Sequence, residues 1–298
     1  MQDGLTREQL TVFFTRLARR VVEVRAVTPL PGATGLRTAC ATLADGTRVF
    51  VKTGRPDDLA RLKAEAGGLA AIGGAAAIRV PDVHLVGGEG RHAYLVLEHL
   101  DLAPGSPEAY ARMGRELAVL HRRQSPHFGF DRDNFIGATP QSNTIVRAWP
   151  DFFRAQRLLP QLRRIEGGDH AGMWVEGGLR VAESVDAFFP GYAPQPSLLH
   201  GDLWAGNAGF LADGTPVIFD PAVYYGDREA DIAMSELFGG FGAAFRAAYR
   251  ETWPLDPGYA VRRDLYNLYH VLNHVNLFGA AYVAQAQGLI RRLLAEIR

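Results

Sequence analysis

Hydrophobic positions along the 298-residue chain change their period near residue 98. Thr6 followed by Gln9, with Leu10, Phe13, Phe14 and Leu17 on one helical face, predicts an amphipathic helix with a reciprocal N-terminal cap. From Val21 to Lys52 the spacing becomes strand-like. TACATLADGTRVFVK reads as two runs joined by Asp45-Gly46, a strong hairpin signal. Pro56 opens a second helix carrying Leu59, Leu62, Ala66 and Leu69, with Glu65 beside that stripe. VHLVGG and HAYLVLEHL add two more strands. Residues 1–98 are therefore predicted to form a small antiparallel sheet with one crossing helix.

Beyond LEHLDL the texture is helical. Ser106-Pro107 starts a helix with Met113, Leu117 and Leu120 on one side. Further helices are predicted over 149–164, 170–188, 228–238, 240–252 and 262–284. Strand in this half is expected only at LLHGD and in a second hairpin, AGFLADGTPVIFD. LADGT occurs at 43–47 and again at 211–215, but the flanking patterns do not repeat, so one good turn is used twice. No low-complexity segment or long linker intervenes. The expected architecture is α+β and bilobal: residues 1–98 as one lobe, 99–298 as a larger, mainly helical lobe, and a short hinge at Glu98–Leu100.

Composition narrows the classes of function. Hydrophobic residues make up 47% of the chain and aromatics 10%, enough for a packed interior. Thirty-two basic and thirty-two acidic residues cancel, which argues against a nucleic-acid or membrane-surface binder. Cys40, a single cysteine, cannot form an intramolecular disulfide, and its place inside a strand suggests a buried, inert thiol. MQDGLTREQL lacks the apolar core of a signal peptide, and no run approaches the roughly 18 apolar residues of a membrane span. A monomeric cytoplasmic protein is expected.

The chemistry gathers at the ends of the hairpins. VFVK places Lys52 at the end of one apolar strand, VIFD places Asp220 at the end of another, and HGDLWAGN lies just before the second hairpin. Charges there are costly to bury unless they meet an ionic ligand. A nucleotide triphosphate with magnesium supplies both signs. Lys52 suits phosphate oxygens, Asn207 and Asp220 suit magnesium, and Asp202 suits proton abstraction from an incoming hydroxyl. The H-x-D-x-x-x-x-N spacing is that of kinase catalytic loops. Glu65, on the crossing helix, is placed to pair with Lys52. Taken singly, each of these residues reads as a cap, a strand end or a surface charge; the ordered set points to a phosphotransferase.

LLHGDLWAGNAGF, FDPAVYYGDREADIAMSELFGGF, LAVLHR, FGFDRDNFIGATPQSN and LYHVLNHVNLFG together resemble the fructosamine kinase (ketosamine kinase) family over nearly the whole chain. That resemblance implies a protein-kinase-like, aminoglycoside-phosphotransferase-type fold. It also implies ATP- and Mg2+-dependent phosphorylation of a ketosamine at the third carbon of its sugar, an unstable product, and a part in deglycation of small amines and glycated proteins. By position, Asp202 resembles the base, Asn207 and Asp220 the magnesium ligands, and Lys52 with Glu65 the phosphate-holding pair. Glu98 to Leu100 are expected to present backbone groups to adenine. Asp231 resembles the acid that braces the catalytic loop. Trp204 is expected to wall the acceptor sugar.

The phosphate-covering turn departs from the family's glycine-rich pattern. It reads PLPGATGLRT, with Pro31 and only Gly32 and Gly35, which implies a stiffer cover whose amides still suit phosphate. His270 and His274 sit one helical turn apart without an evident third ligand, so packing, or for His274 a substrate contact, is favoured over zinc. Leu237, Phe238 and Phe241 are expected in the helical core, and Arg112, Arg122 and Arg123 on a solvated face. Two other functions compete. A kinase for aminoglycoside- or choline-type cations would gather acids around its acceptor, and a silent nucleotide-binding module would not transfer phosphate.

Overall fold

The computed structural model describes residues 6–18, 21–32 and 35–297. Helix α1 (Arg7–Ala18) starts as expected: the Thr6 amide donates to Gln9 Oε1 at 3.1 Å and the Gln9 amide returns to Thr6 Oγ1 at 3.2 Å. The side chain of Leu17 lies outside the described residues. Strands β1 (Val24–Leu30), β2 (Arg37–Leu43), β3 (Arg48–Gly54), β4 (Val83–Glu89) and β5 (His92–Glu98) form one antiparallel sheet in the order β1-β2-β3-β5-β4. Alternation assigns its faces. Val49, Val51, Tyr94 and Val96 pack against Leu10, Phe13 and Phe14 of α1. Leu95 and Leu97 turn the other way, into one core with Leu62, Leu69 and Ile72 of α2 (Leu59–Gly74). Lys52 shares that second face, and it is buried.

Helix α3 (Pro107–His121) opens on Ser106, whose Oγ accepts from the Ala109 amide, with Pro107 at the first helical position. The core around α2 continues without a break into the helical part of the chain. A short hairpin follows, β6 (Asn134–Ile136) with β7 (Thr139–Gln141). Helix α4 (Trp149–Phe152) then runs through a π-helical stretch at Phe153–Leu158 into α5 (Leu159–Glu166). Pro160 has no amide to offer the carbonyl of Gln156, and that carbonyl accepts from Arg157 instead at 3.0 Å. Next come α6 (Trp174–Glu183), β8 (Ser197–Leu199), the ribbon of β9 (Ala208–Phe210) and β10 (Pro216–Ile218), and β11 (Tyr224–Gly226). Helices α7 (Glu229–Leu237), α8 (Ala243–Thr252), α9 (Tyr259–Phe278) and α10 (Val283–Glu296) complete the chain. None of the described helices is long and apolar enough to cross a membrane.

Several expectations need correction. The helix expected over 262–284 ends at Phe278, because Gly279 adopts φ 76 and α10 starts after one 3-10 turn. The helix expected over 170–188 is regular only over Trp174–Glu183. Strand in the second half is not confined to the two places expected: β6 and β7 turn at Gly137, and β11 pairs with β8. Cys40 sits in β2 as expected but is half-buried, with burial raising its thiol pKa. Phe241 is buried, whereas Phe238 is 40% exposed and does not belong to the core. Arg112, Arg122 and Arg123 are exposed, yet Arg123 donates to the Ala75 carbonyl just beyond α2 at 2.9 Å.

Candidate active site

The His200-Gly201-Asp202 loop follows β8 and is fixed from behind. Asp231 on α7 accepts the His200 amide at 2.7 Å and the Gly201 amide at 2.9 Å, and lies 3.1 Å from His121 Nε2. Burial pushes the Asp231 carboxyl up, but His121 and the backbone amides outweigh it and hold it below the usual carboxylate range. Gly201 has φ 82, and a Cβ there would come within 2.1 Å of the Ala222 carbonyl oxygen, so no other residue fits. His200 is buried; its Nδ1 lies 3.3 Å from the Asp202 amide and its Nε2 lies 2.9 Å from the Phe219 carbonyl. Those partners fit a neutral ring protonated at Nε2, and burial lowers its pKa accordingly.

Asp202 is thereby aimed into a cleft between the sheet and the helices. Burial first, and then the charge of Asp220, push its pKa up to about 7. Asn207 donates through Nδ2 to the Asp202 carbonyl at 2.8 Å and to Asp202 Oδ2 at 3.1 Å. Its Oδ1 is left for another donor or a cation. Across the cleft, Lys52 lies 2.8 Å from Glu65 on α2 and 2.6 Å from Asp220. Burial opposes charge on Lys52, but the two carboxylates hold its ammonium above its ordinary range. The same burial drives Glu65 up against the pull of Lys52. Asp220, two residues past β10, has φ 56 and a side chain 43% exposed to the cleft.

Lys52, Glu65, Asp202, Trp204, Asn207, Asp220 and His274 all line one cavity. A second, apolar cavity adjoins it at Asp220, between Leu30, Phe50, Leu97, Leu102 and Phe219, with Glu98 and Leu100 on its edge. The Glu98 side chain bonds to Arg79 and accepts from the Asp82 amide. Gly32 and Gly35, in the turn between β1 and β2, are not among the residues lining either cavity, and residues 33–34 of that turn lie outside the described residues. Gly35 does adopt φ 83.

At the outer mouth the Trp204 indole is 38% exposed and stands edge-on to Phe238 at 6.2 Å. Phe238 in turn meets His274 at 5.1 Å, and His274 stacks on Phe278 at 5.3 Å. His270, one turn away, is buried, and burial takes its pKa down to about 3. Among the described residues no cluster of three His, Cys, Asp or Glu is arranged to hold a metal. Sequence reasoning missed Arg61, Asn134, Asn273, Phe238 and Phe278 as residues of this region. Arg61 had a signal, one helical turn before Glu65 on the same face.

A lysine delivered by a sheet and an aspartate delivered from the helical side, meeting across a cleft beside a braced His-Gly-Asp loop, define a phosphotransferase of the protein-kinase-like fold. Comparison with known proteins narrows the class. The family model described as fructosamine kinase matches residues 10–296, so the chain belongs to the fructosamine kinase family, and it is a kinase. It is 45% identical over 254 residues to a probable ketoamine kinase of Synechocystis, covering 85% of each chain. It is 42% identical over 259 residues to the chloroplastic protein-ribulosamine 3-kinase of Arabidopsis thaliana, covering 85% of this chain and 78% of that one. The crystal structure of a candidate fructosamine-3-kinase from Thermobifida fusca matches 96% of this chain and 98% of its own, with a TM-score of 0.85 at 36% identity.

Proposed function

We propose that the protein transfers the γ-phosphoryl group of ATP to the 3-hydroxyl of ketosamines such as fructosamines and ribulosamines. The observation that carries this reading is the division of one cleft: a charged end at Lys52, Glu65 and Asp220, an uncharged aromatic end at Trp204, His274 and Phe278, and Asp202 between them. The apolar slot bounded by Leu30, Phe50, Leu97 and Phe219 suits a flat base, and Glu98, His99 and Leu100 are among its lining residues. Glu65 holds the Lys52 ammonium for phosphate oxygens. Asp202 takes the proton of the acceptor hydroxyl as that oxygen bonds to the γ-phosphorus and the bond to the departing ADP oxygen breaks.

The Asp220 carboxylate and the free Oδ1 of Asn207 are hard oxygen donors that fit Mg2+. When bound there, the ion supplies positive charge to the phosphate oxygens. Trp204 offers the flat apolar face and single N–H donor that suit one side of a sugar. Its exposed rim with Phe238 and Phe278, which is 52% exposed, leaves the mouth open to an adduct carried on a protein. Phosphorylation at the third carbon makes the adduct unstable, so the activity would serve deglycation.

A kinase for aminoglycoside- or choline-type cations is disfavoured. Among the described residues lining the acceptor end, none beyond Asp202 is acidic. The test is a panel of fructose-, ribulose- and erythrulose-lysine with ATP and Mg2+, read by ADP release. Turnover of at least one adduct is expected; turnover of choline or kanamycin, with none of the ketosamines, would sink the proposal.

A further inference from the structure

The chain that leaves Asp220 is held on every side. Asp220 adopts φ 56, a left-handed conformation that most residues with a side chain avoid and that aspartate tolerates better than most. Two and three residues on, the backbone is bonded to other parts of the fold. The Ala222 amide donates to the His200 carbonyl at 2.8 Å. The Ala222 carbonyl accepts from Gln141 Nε2 at 3.2 Å, and the Val223 carbonyl accepts from Asn134 Nδ2 at 2.7 Å. On the opposite side Gly68 of α2, one turn from Glu65, is so close that a Cβ there would lie 3.1 Å from Pro221 and 3.3 Å from Val223.

The two carboxamides are themselves locked. Both are buried at the ends of the β6–β7 hairpin. Asn134 Oδ1 accepts from Gln141 Nε2 at 2.7 Å and from Asn143 Nδ2 at 3.0 Å, and Gln141 Oε1 accepts from the Tyr269 hydroxyl at 2.5 Å. Asn143 Oδ1 accepts from Arg157 at 2.7 Å. Arg157 is fully buried, and its hydrogen-bond partners among the described residues are carbonyl oxygens, of Ser142, Gln156 and the Asn143 side chain, rather than carboxylates. Its guanidinium lies 3.9 Å from the ring centroid of Tyr224, the residue after Val223, and 4.6 Å from that of Phe152. The buried cation thus holds one carboxamide, Asn143, along with the Ser142 and Gln156 carbonyls, and the chain of carboxamides from Asn143 through Asn134 and Gln141 ends on the backbone that follows Asp220.

We propose that Gln141 and Asn134, backed by Asn143 and Arg157, are positioning residues that hold Asp220 permanently in its working backbone conformation. In switchable kinases the segment after the metal-binding aspartate orders and disorders. Here that segment is clamped by side chains of its own fold, so the metal-binding aspartate is set at all times without a modification or a partner. The inference rests on the metal role proposed above for Asp220.

Gln141 tests it, because it is not among the residues lining the acceptor cavity. In Gln141→Leu, kcat should fall about 10- to 100-fold, the scale of a displaced catalytic group, while the ketosamine KM stays within about twofold. The strengthening of ADP binding by Mg2+, measured by calorimetry, should shrink about tenfold. Gln141→Asn, which keeps a carboxamide, should recover part of both. Tyr269→Phe removes only the outermost hydroxyl and keeps the test alive should Gln141→Leu not fold; a weaker Mg2+ linkage at unchanged acceptor KM is expected. A lower melting temperature with wild-type kcat and Mg2+ linkage, assayed well below melting, would mean a merely structural role and overturn the proposal. Asp220→Ala is the reference: intact Mg2+ linkage there would overturn the metal assignment and this inference with it, whereas its loss there and retention in the Gln141 and Tyr269 variants would overturn this inference alone.

Discussion

The two LADGT hairpins share a turn and differ in everything around it. In the first, the Leu43 amide donates to the Thr47 carbonyl at 2.8 Å and the Thr47 amide to Asp45 Oδ1 at 2.9 Å; in the second, Leu211, Thr215 and Asp213 repeat those bonds at 2.9 Å each. Gly46 and Gly214 have φ 88 and 79. The strands of the first are seven residues long and lie inside the five-stranded sheet, whereas those of the second are three residues long and form a two-stranded ribbon with only single bridges outward, Phe210 to Ala103 and Val217 to Arg79. Accordingly Lys52 ends up buried in a ladder, and Asp220 leaves its strand into a left-handed backbone with its carboxylate partly in the open. Local chemistry sets a turn; the surroundings set how its charge is used.

The largest effect that separates the two hairpins is expected from Asp220→Ala. Activity should be lost and Mg2+ should no longer strengthen nucleotide binding, because the phosphates lose a charged clamp. Intact magnesium linkage in a titration would remove Asp220 from the site. Asp202→Asn keeps the shape of the loop that precedes the second hairpin but removes the proposed proton acceptor, and should lower kcat by about 10²–10⁴ with ATP affinity little changed. Near-normal turnover would assign the base elsewhere.

Trp204→Ala should lower acceptor kcat/KM by about 1–3 kcal/mol, on the scale of a lost pocket contact, with the melting temperature near wild type. A large drop in melting temperature at unchanged acceptor KM would make the indole a packing residue instead. The smallest effects compare the turns directly. At neither Gly46 nor Gly214 would a Cβ meet an atom closer than 3.8 Å, so Gly46→Ala and Gly214→Ala should each cost only the strain of a left-handed alanine, about 1–2 kcal/mol. Equal shifts in urea midpoint would support a locally determined turn; a much larger shift at Gly46 would put the stability in the sheet.

Much of the fold and the cleft is legible in the sequence because it rests on local rules. Alternation along VFVK puts Val51 and Lys52 on opposite faces, and HGDLWAGN with VIFD marks the cleft through residue type and spacing alone. What escapes depends on distant partners. NFIGATPQ is too short and carries a proline, so β6–β7 has almost no strand signal, yet Asn134 and Gln141 find their partners at Ala222 and Val223. Gly279 sits in the apolar run LFGAAYV, where a glycine inside a helical pattern does not by itself announce a break. Phe238 reads as core by composition, and only its neighbours Trp204 and His274 place it at the mouth.

The bond from the Ile218 amide to the Arg79 carbonyl, at 3.0 Å, joins the strand before Asp220 to the loop ahead of β4. With Arg123 reaching the Ala75 carbonyl, it ties the two halves of the molecule by stitches that do not run through the hinge. A clamshell opening would have to rip both. Nucleotide should therefore enter and leave by breathing of the cleft's rim while the body keeps one outline, and small-angle scattering curves with and without nucleotide should superimpose; a change in radius of gyration on binding would show that the stitches yield.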